Sequence, residues 1–168
     1  MTDYYPIAIR LKNKRAVIAG GGTVAERKVI SLLQAQAAVE VVSPALTKTI
    51  KALAASGRIK WTKRRIRQDD IKGAAIVIAA TSDRTVNEKI SVWAKRLGIP
   101  ANAVDDKASS DFISPAVFKK EKAIITVYTD GKDPELSRDL KNFLKERWGE
   151  FNRTRIRAQK EKGRYPGI

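Results

Sequence analysis

The stretch "VIAGGGTVAERK" (17–28) joins an apolar run, three glycines and a helix-like segment. Within it, Gly20, Gly22 and Ala25 satisfy the G-x-G-x-x-A form of a dinucleotide fingerprint. The first glycine permits a tight turn, the second lets the backbone approach a pyrophosphate, and the small third residue lets helix and strand pack closely. Free N–H groups at the helix start then face the anion, which makes Gly20, Gly21, Gly22, Thr23 and Val24 candidate cofactor-binding residues. The fingerprint also expects an Asp or Glu about twenty residues on, bonded to the adenosine ribose. Ser43 and Pro44 stand there instead. A hydroxyl can bond a ribose, and with no carboxylate to repel a 2′-phosphate the residues leave NAD and NADP both open.

Proton chemistry is bounded by two absences, since the chain has neither cysteine nor histidine. Disulfides, thiolate metal sites and cysteine nucleophiles are excluded, and the usual general base is missing. Proton transfer must therefore use Asp, Glu, Lys, Tyr, a bound ligand or water. Asp105 falls at the carboxyl end of a predicted strand, where ligands of open α/β sheets bind, although a turn-capping role fits it too. Its neighbour Asp106 should point to the opposite face, so strong coupling between the two is not expected. Ala80, Thr81 and Asn102 lie at the ends of two predicted strands, where a cofactor's ribose and nicotinamide would pass. Asn102 could equally serve to satisfy loop backbone groups.

These residues need a parallel sheet to hold them. "RAVIAG" (15–20) reads as a buried parallel strand, because it is continuously apolar rather than alternating. "TVAERKVISLLQAQA" (23–37) has helical spacing. "VEVVSP" (39–44) is a second strand, with Ser43 and Pro44 as N-cap and first-turn proline of the next helix. "RIKWT" is a short third strand, "AAIVIAATSD" (74–83) a central one, and "IPANAVDD" (99–106) a fifth. Between the last two, Ser82 or Asp83 caps a helix that Gly98 ends. Such alternation implies a doubly wound parallel Rossmann-type α/β sheet. After about residue 112 a strand over 122–131 and an amphipathic helix over 133–151 follow, with Pro134 near the helix start. The expected division is a nucleotide-binding domain (1–112), a small α+β dimerisation and substrate-site segment (113–150) and a basic tail (151–168). So small a second unit should complete its core against another subunit, as a homodimer.

The segments "PIAIRLKNKRAVIAGGGTVAERKV", "IVIAATSDRTVN", "ANAVDDKASSDFISPAV" and "YTDGKDPELSRDL" resemble, in that order, the siroheme synthase N-terminal family. These are precorrin-2 dehydrogenases, some of which are also sirohydrochlorin ferrochelatases. The resemblance covers roughly residues 5 to 148 and is to the stand-alone form. It implies oxidation of precorrin-2 to sirohydrochlorin with NAD as hydride acceptor, ferrous-ion insertion in bifunctional members, and an intimately exchanged homodimer. It further implies that Asp105 is the catalytic carboxylate and that Ser114 and Thr129 are substrate-binding hydroxyls. Asp130 departs from it, standing where the family often has glycine.

The net charge is +16, with six basic residues and no acidic one in "RIKWTKRRIR" (58–67) and six more in the tail against Glu161 alone. Precorrin-2, an octacarboxylate, would be drawn to such a chain. A nucleic-acid-binding protein is the contrasting reading, but no nucleic-acid motif accompanies the charge and the tryptophans do not cluster. The Y-x-x-x-K spacing of "YTDGK" (128–132) must lie on a helix to do redox chemistry, and Asp130-Gly131 reads as a turn. With no transmembrane run and no signal peptide, the expected location is the cytoplasm.

Overall fold

Because its apolar run is unbroken, Arg15–Ala19 (β1) can be buried on both faces, and it lies at the centre of a five-stranded parallel sheet. The other strands are Ala38–Val42 (β2), Lys60–Thr62 (β3), Ile76–Ala79 (β4) and Ala101–Ala103 (β5), in the order β3-β2-β1-β4-β5. The computed structural model describes residues 4–104, 106–121 and 123–161, with side chains to 158. They fall into two compact units, residues 5–113 and Tyr4 with residues 114–161.

In the first unit, helices Thr23–Gln34 (α1) and Lys48–Ala55 (α2) cover one face of the sheet, burying Ala25, Val29, Leu32 and Ile50 against Ile18 and Val41. Helix Arg84–Arg96 (α3) and a 3-10 turn at Gln68–Ile71 cover the other, where Ile90, Ala94 and Ile71 meet Val17 and Val77. The chain therefore winds outward from β1 in both directions, and the sheet is doubly wound as expected. Asp83 caps α3 by accepting a hydrogen bond from the Val86 N–H at 3.2 Å. Gly98, at φ +66°, ends that helix in a Schellman turn in which the Ile99 N–H donates to the Ala94 carbonyl at 2.9 Å.

One capping expectation is corrected. Ser43 and Pro44 do not start α2, because the Ser43 N–H donates to the Thr62 carbonyl and its own carbonyl accepts from the Trp61 indole. The residue is thereby held in the sheet, and Thr47 becomes the cap, accepting from the Ile50 N–H at 3.2 Å.

The amino end of the sheet is tied by Arg15. Its guanidinium donates to Glu40 at 2.8 Å and to the carbonyls of Asp70 and Lys72. Arg64 likewise donates to both carboxylate oxygens of Asp70 at 2.6 Å.

The second unit is an antiparallel hairpin, Ala116–Lys120 (β6) and Ala123–Val127 (β7), with the 28-residue helix Pro134–Glu161 (α4). β6 was not expected from the sequence, and α4 runs ten residues past the expected end at 151, into the basic stretch. Asp133 caps α4 by accepting from the Leu136 N–H at 2.7 Å. Trp148 meets the buried Phe118 edge-on, with ring centroids 5.7 Å apart. Asp130 and Gly131 have φ of +57° and +67°, and the Lys132 N–H donates to the Thr129 carbonyl across them. Two central residues of positive φ mark a tight turn that favours glycine, which gives the Asp130 departure its physical meaning. Among the described residues no helix is long and apolar enough to cross a membrane.

Arg64, and after it the Arg67 N–H, hold the Asp70 carboxyl below its usual range. A carboxyl whose pKa is lower in the folded than in the unfolded chain (about 3.9) stabilises the fold at neutral pH, and that contribution disappears as pH falls through the folded value. Asp70→Asn is expected to lower the urea midpoint at pH 7. The gap from the parent protein should close progressively below about pH 4 in a pH series of urea titrations.

Candidate functional site

The site begins where β1 stops. Gly20, at φ +116°, is buried so closely against β4 that a methyl group there would collide with the Ala80 carbonyl, whose carbon would lie 2.6 Å away. A methyl on Gly21 would collide with the Ala45 carbonyl and lie 2.8 Å from Leu46 Cδ2 and 2.9 Å from Ser43 Oγ. Gly22 differs from both. It has an ordinary extended backbone, at φ −82° and ψ −172°, and a methyl there would meet nothing within 4 Å. The fold thus demands glycine at positions 20 and 21, whereas the bareness of Gly22 serves open space at the N-terminus of α1. Ala25, fully buried, lets that helix lie close to the sheet.

The N–H groups of Thr23, Val24 and Ala25 find no acceptor among the described residues; the Glu26 N–H is the first to donate back, to the Gly22 carbonyl at 2.9 Å. Unpaired donors and the positive end of the helix dipole make this an anion site. A dinucleotide pyrophosphate fits it, because the side chain that would obstruct the approach is missing at Gly22 and the donors are free.

Ser43, Ala80, Thr81 and Asn102 come to the same carboxyl end of the sheet, but their polar groups are largely engaged. The buried Ser43 hydroxyl donates to the Ala45 carbonyl at 2.7 Å, while Pro44 is exposed. The Ala80 N–H donates to the Ala19 carbonyl. The Thr81 hydroxyl lies 2.7 Å from Asn87 Oδ1, which also accepts from the Thr81 N–H at 3.1 Å, and Asn87 Nδ2 returns a bond to the Thr81 carbonyl. Asn87 is buried, and the sequence reading missed it; an amide three residues before Ile90 on the apolar stripe of α3 was the available signal.

Asn102 takes the loop-securing role. Its Nδ2 donates to the Phe112 carbonyl at 2.9 Å. Ser110 Oγ accepts from the Ala103 N–H and Asp111 Oδ2 from the Ala101 N–H, both at 2.9 Å, so polar side chains of the following loop cover the outer edge of β5. Asp105 lies outside the described residues. Its neighbours are anchored: the Val104 N–H donates to the Ala79 carbonyl, and the Asp106 N–H to the Ala103 carbonyl. Bonds from Ser109, first through its hydroxyl and then through its N–H, keep the Asp106 carboxyl ionised below its usual range.

Thr129 and Ser114 belong to the second unit. The Thr129 hydroxyl lies 2.7 Å from the Asp133 carbonyl and 2.8 Å from the buried Ser137 hydroxyl, whereas Ser114 is exposed. Among the described residues no group of three or more His, Cys, Asp or Glu could hold a metal ion.

Known proteins resemble the chain at three levels. A solved structure, SirC, precorrin-2 dehydrogenase, superposes with a TM-score of 0.73 over 98% of this chain and 83% of its own, at 22% identity. That likeness shows the fold. Siroheme synthase 1 of Aeromonas salmonicida is 42% identical over 142 residues, and the siroheme synthase of Methylococcus capsulatus is 40% identical over the same length. Each match takes in 84% of this chain, which spans 30% of the length of those relatives. A family model described as "Putative NAD(P)-binding" matches residues 7–116, the whole doubly wound sheet and the glycine turn within it. The matched range takes in the bare helix start at Gly22, and the chain belongs to the NAD(P)-binding family.

Proposed function

We propose that this chain is a cytoplasmic precorrin-2 dehydrogenase that oxidises precorrin-2 to sirohydrochlorin with NAD. The observation that carries the reading is the 42% identity to a siroheme synthase over 142 residues, a length that in this chain has to include Asp105 and Thr129. Bound NAD supplies the hydride acceptor. The chain's own part is to hold the pyrophosphate on the free N–H groups of Thr23 and Val24 and to take up the proton at the Asp105 carboxylate. Ser114 and Thr129 contact the substrate, and exposed Lys and Arg side chains attract its carboxylates. Ferrous ion is a further substrate only if the chain is bifunctional; the alternative is a dehydrogenase alone, with a separate chelatase, and the metal-addition step of the assay below separates the two.

The second unit supports a homodimer. Leu136, Leu140 and Phe143 lie at i, i+4 and i+7 on α4 and are 52%, 43% and 54% exposed, and Ile124 on the hairpin is 66% exposed. An apolar stripe of this kind, on a unit too small to bury a full core, is accounted for by a second copy of the chain. Size-exclusion chromatography with light scattering should report a dimer, and Leu140→Glu combined with Phe143→Glu a monomer.

An anaerobic absorbance assay with precorrin-2 and NAD should show NAD-dependent appearance of sirohydrochlorin, and metal insertion faster than the blank when ferrous ion is added would establish the bifunctional form. No oxidation with either NAD or NADP would overturn the enzyme reading. Asp105→Ala should slow oxidation at least about a hundredfold while leaving dinucleotide binding within about twofold. Gly22→Leu should fold normally, as circular dichroism would show, yet weaken the dinucleotide at least about tenfold, whereas Gly20→Ala should lose roughly 2 kcal/mol or more of stability.

A further inference from the structure

The adenosine end of the dinucleotide site has an unusual charge, and the inference drawn from it rests on the cofactor reading above. In the fingerprint a carboxylate at the end of the second strand bonds the ribose and repels a 2′-phosphate, while a nearby cation accommodates that phosphate. Here β2 ends at Val42, paired with Thr62, and Ser43 follows with its hydroxyl turned inward to the Ala45 carbonyl. The Thr62 carbonyl accepts from two donors at once, the Ser43 N–H at 3.1 Å and the Arg64 N–H at 2.9 Å. Lys63 is therefore the apex of a tight turn that leaves the sheet directly beside Ser43. The Trp61 indole fastens the same corner by donating to the Ser43 carbonyl at 3.0 Å, and Lys63 Nζ lies 6.0 Å from the centroid of the Trp61 ring.

The cations here are not equivalent. Arg64 is committed to Asp70 through both of its terminal nitrogens. Lys63 is exposed and pairs with no carboxylate among the described residues. Where the fingerprint places a negative charge this chain has the neutral Ser43, and the turn beside it carries Lys63, a positive charge that no described carboxylate neutralises. We propose that Lys63 reads the adenosine 2′ position, so that the site takes the 2′-phosphorylated dinucleotide NADP alongside NAD.

The test is calorimetric titration of the full chain with NAD and with NADP, for the parent protein, Lys63→Glu and Arg58→Glu. Arg58 is exposed and precedes β3, so its variant makes the same charge change at the opposite end of that strand. The parent should bind both dinucleotides with dissociation constants within about tenfold of each other. Lys63→Glu should lower the NADP-to-NAD affinity ratio by about tenfold or more, and Arg58→Glu should leave that ratio unchanged. Binding of NAD without NADP, or an equal shift of the ratio in both variants, would overturn the role of Lys63 and leave the cofactor reading intact. Binding of neither dinucleotide would overturn both.

Discussion

The close approach of Gly20 to Ala80 governs the rest of the molecule. β1 is paired on both sides up to its last residue, and the pairing continues one step beyond it. The Gly20 N–H donates to the Val42 carbonyl of β2, and the Ala80 N–H donates to the Ala19 carbonyl of β1. With both neighbours bonded, the chain can leave the sheet only by turning at a positive φ in a space that admits no side chain. That turn starts α1 three residues later and aims its unpaired N–H groups away from the core. The anion site is thus a consequence of how the central strand ends, with no dedicated side chain required.

Polar side chains around that turn mainly secure loops. Ser43 holds the exit from β2, Asn87 holds the exit from β4, and Asn102, Ser110 and Asp111 hold the loop after β5. The Thr47 N–H donates to the Gly21 carbonyl, which docks the start of α2 on the glycine turn itself. Buried polar groups must be paired, and these pairings make the carboxyl end of the sheet stiff. What remains free is backbone N–H and exposed cation, which is the equipment for phosphate and carboxylate rather than for apolar ligands.

The excess positive charge divides in the same way. Arg15 and Arg64 are structural, bonded to partly buried Glu40 and Asp70, and removing a partner there strands a charge. The pairs along α4, such as Arg138 with Glu135 and Arg147 with Glu150, join well-exposed groups and contribute little to stability. Most remaining Lys and Arg residues are solvated surface, free to raise the local concentration of a polyanion.

By itself the sequence determined the doubly wound sheet and the glycine turn, because both are local. An apolar run such as "AVIA" is buried wherever it pairs, and glycines between strand and helix serve the same turn in any context. The cap of α3 could be narrowed to Ser82 or Asp83 for the same reason, since a cap needs only the next turn of backbone, and the structure selects Asp83. Tertiary structure decided everything that depends on a partner distant in the chain. Ser43 has the residue type of a cap, but Thr62 and Trp61 hold it in the sheet. Asn102 has a residue type that suits a ligand contact or a loop anchor, and only the fold directs its Nδ2 to Phe112 and Ser110. β6 carries Lys119 and Lys120 on its exposed positions and shows as a strand only once β7 folds back on it. Lys63 is one cation among six in its stretch until the shared Thr62 carbonyl sets it beside the end of β2. In each case residue type limits what a side chain can bond, and only the fold determines which partner is within reach.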